Sequence, residues 1–139
     1  MVVTSSGRPR TTDLAVHLDT HVLLWLSQRR AKVLGKQAIK FARASSWTIS
    51  PAVILELEFL AEIGRIKITP DQVLANARQT GDLAVSETPF MDIVQVARTL
   101  SWTRDPMDRL IVAHAIGDGA RLLTADGRIL ANFKDAVWD

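Results

Sequence analysis

The chain of 139 residues contains no cysteine. That excludes a disulfide framework, a thiolate zinc site and a cysteine nucleophile, and it suits a reducing, cytoplasmic setting. Tyrosine is also absent. With neither side chain present, little titrates between neutrality and the lysines. A net charge of only +2 therefore carries the isoelectric point to about 9.4, a figure that overstates the basicity. No apolar run reaches the ~18 residues of a membrane span. Residues 1–12 are polar, with Gly7, Pro9 and two arginines, and lack the apolar centre of a signal peptide. They read as a flexible extension ahead of one domain over residues 13–139. Walker A, G-x-G-x-x-G and H-E-x-x-H signatures are all missing, and no Ser-His-Asp arrangement stands out.

What is present is a core-forming sequence, 47% hydrophobic, of the length of an ordinary single domain. Leu14 to Leu18 reads as a short buried strand ending at Asp19. A helix follows through Val22–Leu26, and the basic stretch 28–36 opens a second helix that runs to about Ser45. Trp47–Ile49 reads as the second strand. Ser50-Pro51 then starts a helix, with Ser as cap and Pro in the first turn, that stops at Gly64. Ile66–Ile68 is an extended connector, and Thr69-Pro70-Asp71 starts another helix. Asp82–Val85 is the third strand. Pro89 opens a helix through Leu100, and Asp105-Pro106 opens a long apolar one to Gly117–Gly119. Arg121–Thr124 is the fourth strand, Asp126-Gly127 a turn, and Ala136–Trp138 an edge strand. Short apolar strands alternating with helices predict an α/β fold on a parallel sheet, with ligands outside the carboxyl ends of the strands.

Charge is unevenly spread. Residues 1–50 hold eight basic residues, Arg29, Arg30, Lys32, Lys36, Lys40 and Arg43 among them, and only two acids, whereas residues 51–139 hold nine basic and thirteen acidic. A basic sector beside an acidic one suits a polyanion held at a metal site, and it equally describes two solvated faces.

Five acids come into question, four of them by their position at a strand end or helix start. Asp19 closes the first strand and also fits as the cap of the next helix. Asp105 and Asp108 flank Pro106, with Asp105 at the cap and Asp108 in the first turn, where an acid favours the helix dipole. Asp126 lies two residues past the fourth strand and, with Gly127, also makes an ordinary turn. Glu56 has no such local explanation. On a wheel of about 100° per residue from Val53, Glu58 and Glu62 fall near 140° and 180°, while Glu56 falls near 300°, between Ile63 and Leu60. A carboxylate in an apolar sector must be protonated, paired or bound to a cation. Asp108 likewise shares a helical face with Ile111, Val112 and Ala115, whereas Asp105, at the cap, is better explained structurally. Carboxylates converging on one cleft repel unless neutralised, and oxygen-only ligands suit Mg²⁺ or Mn²⁺. Such a site serves phosphodiester hydrolysis. His17 and His114 read as packing histidines, and the tryptophans as core, although Trp102 beside Arg104 is placed to meet a base.

The motifs Leu18-Asp19-Thr20-His21 with Leu24-Trp25, Ser50 and Glu56, Gly64-Arg65-Ile66, Arg104-Asp105-Pro106-Met107-Asp108-Arg109-Leu110-Ile111 and Leu123-Thr124-Ala125-Asp126 resemble the PIN-domain ribonucleases, in particular the VapC-type toxins of bacterial toxin–antitoxin pairs. The resemblance runs from about Leu14 to Trp138. Met107 departs from the usual Phe, and His114 from a common Gln. The resemblance implies a three-layer α/β/α sandwich, an acid quartet at Asp19, Glu56, Asp108 and Asp126 binding Mg²⁺ or Mn²⁺, a homodimer and a cognate antitoxin. It places Thr20 and Thr124 as hydroxyls near the site. The expected reaction is hydrolysis of RNA, with Asp19 and Asp108 as direct ligands and Glu56 holding a metal or orienting water. Asp126 would act directly or through a water. Thr20, Arg109 and Thr124 are candidate substrate contacts. Two other readings compete: a Mg²⁺-dependent phosphatase or phospho-acceptor domain, and a non-catalytic binding module whose acids are helix caps.

Overall fold

The structure, a computed structural model, describes residues 15–139; the proposed extension over residues 1–12 and the strand residue Leu14 lie outside that range. Five strands form one parallel sheet in the order β3-β2-β1-β4-β5. They are β1 (Ala15–Leu18), β2 (Ser46–Ile49), β3 (Leu83–Val85), β4 (Arg121–Leu123) and β5 (Ala136–Val137). Val16, His17 and Leu18 are all buried although successive residues point to opposite faces, as are Leu122 and Leu123. Both faces are therefore covered by helices, giving the expected sandwich.

Between the strands lie α1 (Thr20–Ser27), α2 (Lys36–Ala44), α3 (Pro51–Glu62), α4 (Pro70–Arg78), α5 (Phe90–Ala97), α6 (Pro106–Gly117) and α7 (Gly127–Asn132). The Ser-Pro, Thr-Pro and Asp-Pro starts behave as their chemistry dictates. Ser50, Thr69 and Asp105 each accept a backbone N–H from the first turn of α3, α4 and α6, and proline stands in each first turn. The basic stretch contains a short 3₁₀ turn, Ala31–Val33. The boundaries differ from the sequence reading in several places. β3 begins at Leu83, β4 ends at Leu123 and β5 at Val137, each one residue short of the expected span, and the connector bends at residues 67 and 68 instead of extending. α5 ends at Ala97 rather than Leu100. Asp126-Gly127 is not an isolated turn, because Asp126 accepts the N–H groups of Arg128 and Ile129 and so caps α7.

Chain order reverses between β1 and β4: the chain runs outward from β1 to β3, then returns to place β4 on the other side of β1. Asp19 and Asp126 follow these two neighbouring strands, at the switch point where parallel sheets open a crevice. Two buried polar pairs lie in the packed interior. His17 meets Asp118 at 2.7 Å, and His114 Nδ1 meets the Ser50 hydroxyl at 2.7 Å. Burial raises the Asp118 carboxyl, but hydrogen bonds from His17, Thr88 and Ser86 outweigh that and bring it down to about 2. Both histidines are interior residues, 1% and 3% exposed; His17 is paired through Nε2 alone, its buried Nδ1 having no partner among the described residues.

Ser50 is fully buried and serves α3 and α6 together: it caps the first and bonds His114 of the second. Ser50→Ala is expected to lower stability by about 1–2 kcal/mol, the loss of a cap and a buried hydrogen bond. Denaturant unfolding checks this; an unchanged midpoint contradicts the brace.

Candidate active site

Each acid is delivered by a different strand end or helix start. Asp19 follows β1 and caps α1. Its Oδ1 accepts the Thr20 N–H at 2.8 Å, and its Oδ2 accepts the Thr124 hydroxyl at 2.6 Å. The same Thr124 oxygen accepts the Asp126 N–H at 3.0 Å. One buried hydroxyl thereby joins the ends of β1 and β4 and fixes the first acid relative to the fourth. Glu56 points inward from α3, and its Oε1 accepts a short hydrogen bond from the Thr20 hydroxyl. Glu58 and Glu62 face solvent, as the wheel requires, while Ile63, expected beside Glu56 in the apolar sector, is 67% exposed.

Asp108 sits in the first turn of α6, one turn past the Asp105 cap, and its inner face continues into buried Ile111, Val112 and Ala115. Its carboxylate receives no hydrogen bond among the described residues. Burial, then the charges of Asp105, Asp126, Asp19 and Glu56, push it up to about 7. Asp19 and Glu56 are raised too, chiefly by burial, with threonine hydroxyls pulling the other way. The four acids picked from sequence therefore share one electrostatic field, with Asp105 inside it.

The three candidate substrate contacts are each engaged within the fold. Thr20 and Thr124 are fully buried and spend their hydroxyls on Glu56 and Asp19, so they orient the acids and present no surface. Arg109 donates from Nε to the Thr103 carbonyl at 2.8 Å and from Nη1 to that of Ala97 at 3.5 Å. Its guanidinium ties the loop between α5 and α6 to α6.

Asp105, Asp108 and Asp126 line an open cleft of about 530 Å³, together with Trp102, Arg104 and Arg128. The sequence reading set Asp105 aside as a cap. It is a cap, yet it is also the strongest charge acting on Asp108. Arg128 went unnoticed; its only sequence signal is its place right after Asp126-Gly127.

Among the described residues no three His, Asp or Glu side chains close into a ligand cage. That geometry still fits Mg²⁺, which keeps several waters and takes one or two carboxylates plus substrate oxygens instead of a full protein cage. The all-oxygen donor set and the raised acids fit a hard cation that relieves their repulsion.

The chain is similar to known proteins in sequence and in fold. The model of the PIN domain family matches residues 16–135. The chain is 36% identical over 118 residues to Ribonuclease VapC22 of Mycobacterium tuberculosis, spanning 82% of this chain and 88% of that protein. Its fold is similar to a chain of the VapBC2 complex from Rickettsia felis bound to a promoter DNA fragment, at a TM-score of 0.60 and 17% identity, covering 91% of this chain and 100% of the other. A chain of VapBC-1 from nontypeable Haemophilus influenzae superposes with a TM-score of 0.57 at 18% identity, covering 91% and 97%.

In the folded chain Asp108 keeps its proton up to about pH 7, whereas its ordinary value is 3.8. The folded state thus holds a proton that the unfolded state has released, and stability falls as pH rises through that window. Asp108→Asn removes the penalty. Without divalent metal, its melting temperature is expected to draw progressively above wild type from about pH 4 to about pH 7. A gap that stays constant, or one that favours wild type at pH 7, contradicts the crowded-acid geometry.

Proposed function

Because this chain belongs to the PIN-domain family, we propose that it is a metal-dependent ribonuclease, the toxin of a toxin–antitoxin pair, cutting RNA in the cytoplasm with Mg²⁺ or Mn²⁺. The single observation that carries the reading is the crowding of Asp19, Glu56, Asp108 and Asp126, with Asp108 raised to about 7 and left without a donor. PIN-domain ribonucleases depend on metal in general. A bound divalent cation supplies charge for the phosphate oxygens and an acidified water.

The chain's own residues set the geometry. Asp19 and Asp108 would be the direct ligands, the charge of the first raising the second. Glu56 holds a second position or orients the attacking water, and Asp126 completes the set with the oxygen not used to cap α7. Thr124 and Thr20 hold Asp19 and Glu56 in place, so that their carboxylates need little rearrangement when substrate arrives.

The proposed protein partners are a cognate antitoxin and a second copy of the chain. Ribonuclease VapC22 and the VapBC complexes support that setting. Leu55, Phe59 and Ile63, 46–67% exposed, form an apolar stripe down α3 suited to protein contact. Among the described residues no helix is long and apolar enough to cross a membrane.

Wild-type chain with Mn²⁺ is expected to cleave total RNA, and Asp19→Asn or Asp108→Asn to lose about 100-fold or more of that activity. Mn²⁺ should also raise the melting temperature of wild type but not of Asp19→Asn. Turnover of small phosphate esters without RNA cleavage would indicate the phosphatase reading. No Mn²⁺ stabilisation and no cleavage would indicate a binding module.

A further inference from the structure

We propose that the cleft beside the acids is the seat of one unpaired nucleotide of the substrate, its base stacked on Trp102 and its flanking phosphates held by Arg104 and Arg128. The proposal rests on the ribonuclease reading above and adds a specificity-determining subsite to it.

Three observations meet in this cleft. The first is its place. Asp105, Asp108 and Asp126 line the same cleft as Trp102, Arg104 and Arg128, so a strand positioned at the acids lies within reach of the tryptophan. The cleft's volume of about 530 Å³ falls within the range of small-molecule sites.

The second is the state of the arginines. Arg104 and Arg128 are exposed and form no ion pair among the described residues, although three carboxylates share their cleft. Arg109, next to Asp108 in the chain, is by contrast engaged by two backbone carbonyls. Two free guanidiniums beside a crowd of acids suit a ligand that brings its own negative charge. RNA approaching those acids needs such a counterweight, and guanidinium matches phosphate geometry.

The third is pre-organisation. Trp102 is half-buried, with part of its ring packed on the core and part lining the cleft. The neighbouring Thr103 is 3% exposed and pins the loop twice: its hydroxyl accepts the Asp105 N–H at 3.2 Å, and its carbonyl accepts Arg109 Nε at 2.8 Å. Trp102 and Arg104 flank that anchor, so they are held before any ligand arrives. A fixed aromatic face beside cations reads bases of single strands, because bases inside a duplex are already stacked.

The test uses full-length chain made cleavage-silent by Asp19→Asn, with a short unstructured, fluorescein-labelled RNA followed by anisotropy between about 50 and 200 mM salt. Arg104→Gln and Arg128→Gln are each expected to reduce the slope of log affinity against log salt by about 0.7. Trp102→Leu should weaken binding about tenfold, with Trp102→Phe recovering part of it, and neither should alter binding of the same sequence as a duplex. In the cleavage-competent chain, Trp102→Leu should raise KM more than it lowers kcat and relax the base preference at one position beside the cut. Melting curves confirm that the variants fold; Trp102→Phe and the two exposed arginine changes keep the test valid if Trp102→Leu unfolds. Unchanged affinity and salt slope in folded variants overturn the proposal, as does a loss confined to antitoxin binding, which would make the cleft a protein surface. If wild type cuts RNA and these variants match it, only the nucleotide seat fails. If wild type cuts no RNA, the ribonuclease reading itself fails.

Discussion

The structure is organised around a repulsion. Four carboxylates, and Asp105 beside them, are brought to one end of a parallel sheet, where burial first and then the charge of neighbouring acids make Asp19, Glu56 and Asp108 harder to ionise. Folding alone does not favour such a cluster. It persists because covalent and hydrogen-bonded geometry leaves the side chains nowhere else to go. Asp19 closes the strand next to the one that leads to Asp126, and a single threonine hydroxyl clasps both ends.

The surrounding scaffold offsets part of that cost. Asp19 lies at the start of α1 and Asp108 in the first turn of α6, where the positive ends of the helix dipoles face negative charge. Thr20 and Thr124 add directed hydroxyls to Glu56 and Asp19. Behind them, Ser50 and His114 tie the helix that carries Glu56 to the helix that carries Asp108. None of these contacts reaches the Asp108 carboxylate, which therefore takes the remaining strain as a proton affinity far above that of a free aspartate. A hard divalent cation is the proposed partner that would relieve it.

Much of this is readable from sequence wherever the controlling interaction is local. Pro after Ser50, Thr69 and Asp105 marks three helix starts, because capping depends only on neighbouring residues. The inward turn of Glu56 follows from periodicity alone. The short helix after Asp126 is harder to read, since an Asp-Gly pair serves a turn and a cap equally well. Side-chain direction beyond one turn is harder still. Thr20, Thr124 and Arg109 neighbour the clustered acids in the chain, yet they turn to carboxylates and carbonyls brought near by other elements. The strand order that makes β1 and β4 neighbours is likewise a tertiary fact, which is why Asp19 and Asp126 meet only in the fold. Local rules by themselves leave Asp126 a turn residue and Asp108 a first-turn acid, and the family motif supplies what those rules lack.

The central claim, that a cation discharges a cluster holding a proton it would otherwise keep, is tested most directly by calorimetry of Mn²⁺ binding. Wild-type chain and Asp108→Asn are titrated near pH 7 in buffers of differing ionisation heat. With Asp108 poised at about 7, binding to wild type is predicted to release a fraction of a proton, seen as heat that scales with the buffer, and the release should fade above pH 8 and vanish in Asp108→Asn. Binding without buffer-dependent heat at any pH, or the same release from Asp108→Asn, would contradict the account.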